Sequence, residues 1–446
     1  MYTIAQAAAA LDSGATTARA LIETCLEKIE APAGEGARVF TRVYATEART
    51  SADAVDLLRN ANRHPGPLAG IPISLKDLFD VAGETTAAGS KVLANAPPAT
   101  VHATVVQRLL AAGMIPMGRT NMSEFAYSGI GINPHHGTPK IGWQREGGHV
   151  PGGSSSGAGA SVADGMAFMG LGTDTGGSCR VPAAFSGVVG YKPTARRVPT
   201  TGVLPLSPTL DSVGPLARTV QCCATTDAIL AGTIPRTLPP MALRGLRLAV
   251  PANLVMDGMD ATTTEAFSRA LNRLDNLGVR VTHLTFPQFD AITVANRTGG
   301  FAASEAWAWH EKLLADHADI YDQRVRTRIE RGKAMTSAEY IRLLQDRARI
   351  IAAFDEATAP YDAVVLPTVP ISPPRIDSLT DDADFVRVNN LVLRNCALFN
   401  FLDRCAISLP AHRSGEAPAG LMLVGETMGD HRLFALANAI EPILKD

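Results

Sequence analysis

The 446-residue chain is 46% hydrophobic and 19% charged, a globular balance and not a disordered one. Its formal net charge of −2 argues against a basic nucleic-acid surface, and no stretch approaches the ~18 continuous apolar residues of a membrane span. The six cysteines (Cys25, Cys179, Cys222, Cys223, Cys396 and Cys405) form no CxxC pair and no Cys/His metal spacing, so free thiols and no metal are expected.

In chain order, Thr3-x-x-Gln6 reads as a capping box that opens a helix stopping near Gly14. A second helix has Leu21, Ile22, Cys25, Leu26 and Ile29 on one face, and a third covers 46–62. His64-Pro-Gly-Pro ends this helical opening. The N-terminus has no basic segment followed by a clean apolar run, so no signal peptide is expected and a cytoplasmic location follows.

From residue 68 the pattern changes. The short apolar run 71–75, bounded by Gly70 and Asp77, predicts a buried strand. A helix over 101–112, with Val101, Val105 and Leu109 on one face, and a strand over 114–117 follow. The segment 133–153 is rich in Gly, His and Pro and predicts a loop. Beyond it come a small-residue helix over 155–164 and a strand over 166–171. The second half predicts strands over 246–251, 279–284, 361–367, 405–409 and 421–424. Its helices are predicted over 262–277, 302–321, 337–357, 389–402 and 430–444. Segment 202–240 is the loosest part. The β-α-β alternation implies an α/β fold with a largely parallel, covered sheet.

The chemistry concentrates in residues 147–182, where two Gly-Gly-Ser elements place Ser154 and Ser178 24 residues apart (178 − 154). A glycine pair lets the backbone turn tightly against a substrate. Its N–H groups can converge on an oxyanion, each donor contributing up to ~3 kcal/mol. Alone, Gly-Gly-Ser is an ordinary turn. A nucleophilic serine also needs a base. His135, His136 and His149 lie near but have no telling neighbours. Lys76 directly follows the apolar run 71–75. Burial would disfavour its ammonium and lower its pKa, whereas pairing with Asp77 or Asp80 would make it an ordinary strand-end lysine. Gly153-Ser-Ser-Ser-Gly157 fits the Gly-x-Ser-x-Gly elbow of α/β-hydrolases, but no apolar strand precedes it, so that reading fails.

Taken together, Lys76 in Gly-Ile-Pro-Ile-Ser-Leu-Lys-Asp and the two Gly-Gly-Ser elements strongly resemble the amidase signature family. Gly-Arg-Thr-Asn-Met-Ser-Glu-Phe-Ala at 118–126, Val-Val-Gly-Tyr-Lys-Pro-Thr at 188–194, Leu-Asp-Ser-Val-Gly-Pro at 210–215 and Ala-Val-Val-Leu-Pro-Thr at 363–368 extend the match, which spans roughly 66–430. Cys179 departs from it, because an aliphatic residue commonly follows the nucleophile.

The resemblance implies a Ser–Ser–Lys triad of Ser178 as nucleophile, Ser154 in a cis peptide as proton relay, and Lys76 as base. It also implies an oxyanion hole from the backbone N–H groups of Thr175, Gly176, Gly177 and Ser178. Ser155, Asp174 and Arg180 would hydrogen-bond around these groups, with Arg180 either in a structural ion pair or on the substrate. The implied fold is α/β: one large mixed, mostly parallel sheet covered by helices on both faces. The chain would form a single domain over 1–446, with N-terminal helices over 1–65, a core over 66–220, and 221–446 supplying the rest of the sheet and the pocket helices.

The expected substrate is a small carboxamide, hydrolysed without a cofactor, nucleic acid or membrane; a homodimer is compatible with the family. Asn121, Met122, Phe125, Tyr127, Ile130 and Trp307 are candidate pocket residues, and the loop at Trp143-Gln-Arg145 a candidate cover. The alternative is the glutamine-hydrolysing component of a tRNA-dependent amidotransferase, its A subunit, which releases ammonia from glutamine within a complex. A binding protein with a dead site is a third reading, disfavoured because Lys76, Ser154 and Ser178 are all present.

Overall fold

The computed structural model describes residues 2–63 and 65–445, so the expected break at His64 lies partly outside the described residues. One sheet takes strands from nearly the whole chain. They are β1 (Phe40–Val43), β2 (Pro72–Lys76), β3 (Ile115–Thr120), β4 (Met169–Thr173), β5 (Val189–Lys192) and β6 (Val213–Ala217), followed by β7 (Arg247–Pro251), β8 (Arg280–Leu284), β9 (Ala363–Pro367), β10 (Ala406–Pro410) and β11 (Gly420–Val424). Their spatial order is β1-β3-β2-β4-β6-β5-β10-β11-β9-β7-β8. Every residue of β2, β4, β6, β9 and β11 is buried, which requires cover on both faces of the sheet.

The sheet is single and mixed, as expected, but less parallel than expected. Among the described residues four strand pairings are parallel, β2 with β3 and β4, and β7 with β8 and β9. The other six are antiparallel and occupy the middle and one edge. Three of these six pairings involve β5 and β6 and a fourth involves β1, strands that the sequence pattern does not reveal. β6 lies inside the segment read as loose, because Gly214 and Pro215 look like turn residues. Gly214 is instead a point of close approach: a Cβ there would sit 2.0 Å from the Tyr191 carbonyl oxygen on β5.

Local signals hold elsewhere. The Thr3/Gln6 capping box opens helix Ile4–Asp12, and the five apolar positions of helix Ala18–Glu30 are all buried. The helix expected over 101–112 is shorter, Thr104–Ala111. It buries Val105, Val106 and Leu109 but leaves Val101 outside it and 63% exposed. Short helices at Gly36–Val39, Pro287–Ala295 and Gln323–Glu330 escape the periodicity pattern.

The parallel triplet positions the functional region. β2 lies between β3 and β4 with Leu75 opposite Leu171, so the C-terminal ends of β2 and β4 meet at one point. Lys76 and Thr173 are the last residues of those strands. Crevices at the carboxyl ends of parallel strands are the usual binding positions of open α/β sheets.

Because Gly214 leaves no room for a side chain, Gly214→Ala should lose ~1–3 kcal/mol of stability through overpacking. A shift in denaturant midpoint measures this, and an unchanged midpoint would contradict the close approach of β5 and β6.

Candidate active site

Lys76 is completely buried. Its Nζ donates to Ser154 Oγ and to Thr173 Oγ1, both at 2.8 Å. The carboxylates next to it in sequence are engaged elsewhere. Asp77 accepts from Arg119 Nε at 2.6 Å, and Asp80 accepts from Thr86 Oγ1 at 2.6 Å. Burial lowers the Lys76 pKa to about 7, against the opposing pull of Asp174 and Asp211. A large share of this amine is therefore neutral near pH 7. The nearby histidines are also committed: His135 shares a hydrogen bond with Glu124 (2.7 Å) and His149 with the Pro373 carbonyl (2.8 Å).

Ser154 follows a cis peptide bond from Gly153. Its carbonyl accepts from the Ser123 N–H at 3.1 Å, and the Gly153 N–H donates to the Gly129 carbonyl at 2.8 Å, anchoring the segment from both sides. Ser155 joins the two serine elements. Its N–H donates to the Ser178 carbonyl at 3.4 Å and its hydroxyl to the Thr173 carbonyl at 3.3 Å. Helix Ser156–Ala163 then leaves the site.

The loop from 174 to 179 is wound around the Asp174 carboxylate. Oδ1 accepts from the Gly177 N–H (2.8 Å) and Oδ2 from the Cys179 N–H (3.1 Å). Arg180 grips both oxygens, Nε to Oδ2 at 3.0 Å and a terminal nitrogen to Oδ1 at 2.9 Å. Asn400, on helix Asp382–Phe401, donates to Oδ1 and to the Asp174 carbonyl, each at 3.0 Å. Burial alone would raise the Asp174 pKa, but Arg180 outweighs it and holds the carboxyl below the usual range. Arg180 is thus in an ion pair with Asp174, the structural one of the two roles considered for it. Gly177 has φ +132°, and a Cβ there would meet Cys396 Cβ at 2.7 Å, so only glycine fits this turn.

This winding corrects one expectation. The Gly177 N–H is taken by Asp174 and is not free for an oxyanion. Among the described residues the N–H groups of Thr175, Gly176 and Ser178 donate to no other group. These same three residues line a cavity of about 160 Å³.

The pocket residues expected from sequence fare less well. Tyr127 lines this cavity, whereas Asn121, Met122, Phe125, Ile130 and Trp307 do not. Asn121 is a loop clasp, its amide donating to the Arg38 and Gly137 carbonyls. Met122 and Ile130 are core, Phe125 packs on His310 and Tyr321, and Trp307 lies under Lys333. Residues 143–145 do not line this cavity either, and the Trp143 indole donates to the Gly415 carbonyl at 3.3 Å. The residues missed are Thr173, Asn400, Phe301 and Arg328. Only Thr173 has a local signal, a hydroxyl at a strand end immediately before Asp174.

All six cysteines are free and buried. Cys179 fills space under β6, its thiol donating to the Gly214 carbonyl at 3.5 Å and pushed up in pKa by burial. Among the described residues no group of three or more His, Cys, Asp or Glu is arranged to hold a metal ion, and no helix is long and apolar enough to cross a membrane.

A buried, carboxylate-free lysine thus bonds to a serine beside a turn with unused N–H donors. The amidase family model matches residues 20–434, and the chain belongs to that family and is an amide hydrolase. A solved amidase, 30% identical, superposes with a TM-score of 0.89 over 99% of each chain. The 2-amino-5-chloromuconic acid deaminase of Comamonas testosteroni is 36% identical over 99% of this chain and 96% of its own length. The glutamyl-tRNA(Gln) amidotransferase of Symbiobacterium thermophilum has an A subunit that is 32% identical over 97% of this chain and 95% of its own.

Removing the Asp174 carboxylate would leave Arg180 charged and buried without its partner. Asp174→Ala should therefore cost ~3–5 kcal/mol of stability, measurable by chemical denaturation. A loss below ~1 kcal/mol would show that the pair does not organise the turn.

Proposed function

We propose that the chain hydrolyses a small carboxamide to carboxylate and ammonia or amine through an acyl-enzyme on Ser178. The observation that carries this reading is the fully buried Lys76 amine, bonded to Ser154 Oγ and Thr173 Oγ1 and lowered to about pKa 7. In its neutral form the amine has a lone pair for the Ser154 hydroxyl proton. Ser178 Oγ attacks the amide carbonyl and passes its proton to Ser154 Oγ, while the Ser154 proton moves to Lys76 Nζ. The N–H groups of Thr175, Gly176 and Ser178 receive the oxyanion.

As the tetrahedral intermediate collapses, the C–N bond breaks and the proton returns through Ser154 to the leaving nitrogen. Water then attacks the Ser178 ester and its proton takes the same route to Lys76; as the ester C–O bond breaks, that proton returns through Ser154 to Ser178 Oγ, and the acid is released. Asp174, Arg180, Asn400 and Ser155 position this machinery without joining the transfer.

The similarity to the A subunits of glutamyl-tRNA(Gln) amidotransferases supports a second reading, a glutamine amidase working in a complex. Ammonia release by the isolated chain separates the two. A stand-alone amidase acts on small amides alone, whereas a component of a complex needs its partners.

Two outcomes test the proposal. Ser178→Ala should lower kcat/KM by at least ~10³-fold with an unchanged melting temperature; full activity would refute the nucleophile. Because the base works only when neutral, kcat/KM should fall as pH drops below about 7, the Lys76 value, and level off above it. A flat profile from pH 5 to 9 would exclude Lys76 as the base.

A further inference from the structure

Helix Gln323–Glu330 carries three arginines, and two of them have carboxylate partners. Arg324 pairs with Asp382 at 2.7 Å and Arg326 with Glu330 at 2.8 Å. The third, Arg328, has none among the described residues. Its guanidinium lies over the Tyr127 ring, 4.7 Å from the centroid, and its Nε is shut off from water without a hydrogen-bond partner. Burial lowers its pKa, with Tyr127 acting against that shift and the neighbouring Arg331 cation adding to it. An arginine stays charged, so this half-buried guanidinium without a carboxylate in contact is open to an anionic partner.

Arg328 and Tyr127 line the same cavity as Thr175, Gly176 and Ser178. The walls between them are largely apolar, with Leu206, Leu210, Phe301 and Leu393. At about 160 Å³ the cavity is well below the ~300 Å³ lower bound of drug-sized sites, so whatever spans it is short. A planar guanidinium fork matches a planar carboxylate, and one unpaired cation balances one negative charge.

We infer that the substrate is the monoamide of a short dicarboxylic acid, its free carboxylate on Arg328 and its amide carbonyl at Ser178. This rests on the amidase reading of Ser178 and deepens it by naming the substrate class. Tyr127 forms the floor beneath the guanidinium, and the apolar walls take the methylene groups between the two ends.

The test measures binding and turnover separately. Calorimetry of the wild-type chain with malonate, succinate, glutarate and adipate should show one-to-one binding of at least one acid. Arg328→Met should weaken that binding by ~10- to 100-fold, the range for losing a charge-assisted contact, and Arg328→Lys by less. In turnover, wild type should prefer succinamate or a neighbouring chain length over 4-methylpentanamide, whose isopropyl group replaces the carboxylate. Arg328→Met should lose this preference, the ratio of kcat/KM for succinamate to that for 4-methylpentanamide falling by ~10- to 100-fold. Equal binding of the acids and their neutral diamides, or unchanged binding in Arg328→Met, would overturn the inference. Failure of the amidase reading looks different: no amide is hydrolysed, or Ser178→Ala remains active, while calorimetry still reports on Arg328.

Discussion

The molecule is organised around one costly act, the complete withdrawal of the Lys76 amine from water with no carboxylate in contact. An ammonium so placed loses its hydration and recovers only hydroxyl contacts, so the balance moves toward the neutral amine. That balance depends on the sheet. β2 is buried along its whole length and flanked in parallel by β3 and β4, which leaves Lys76 no route to solvent at the strand end. A carboxylate in contact with Nζ would undo the arrangement by stabilising the charged form.

The other buried cations of the molecule clarify the logic. Arg180 is as buried as Lys76, yet Asp174 grips its fork, so its charge is neutralised and it serves as a fastener for the turn from 174 to 179. Through Gly177 and Cys179, the same carboxylate sets which backbone N–H groups remain unused. Lys192 is buried too and lowered to about pKa 8, by burial first and by Arg180 second, and it donates to the Pro193 carbonyl. Arg328, by contrast half-buried, faces a cavity with its guanidinium over the Tyr127 ring and no carboxylate in contact among the described residues. A paired buried charge fastens structure, whereas an unpaired one is available for proton transfer or for a ligand.

Much of this is legible in the sequence because it is local. The two Gly-Gly-Ser elements, the lysine closing an apolar run and the capping box are all patterns of a few residues. What stays hidden depends on distant segments meeting. The fate of the Gly177 N–H requires knowing that the Asp174 side chain folds back onto its own loop. Asn400 reaches that carboxylate across 226 residues of sequence. Arg328 sits among several arginines of a polar helix, and nothing in its neighbours marks it as the one that turns into the cavity. β6 is hidden for the opposite reason: Gly214 and Pro215 carry a strong local signal for a turn, and close strand packing overrides it.

The central claim, that Lys76 is held near neutrality by burial, is most directly tested by following the side-chain amines in a pH titration by NMR. The chain has only eight lysines, so assignment by single substitution is practical. One signal should titrate near pH 7 and vanish in Lys76→Met while persisting in Lys192→Met. A Lys76 signal that titrates near the ordinary value of ~10.4 would show a charged, conventionally paired lysine and contradict the account.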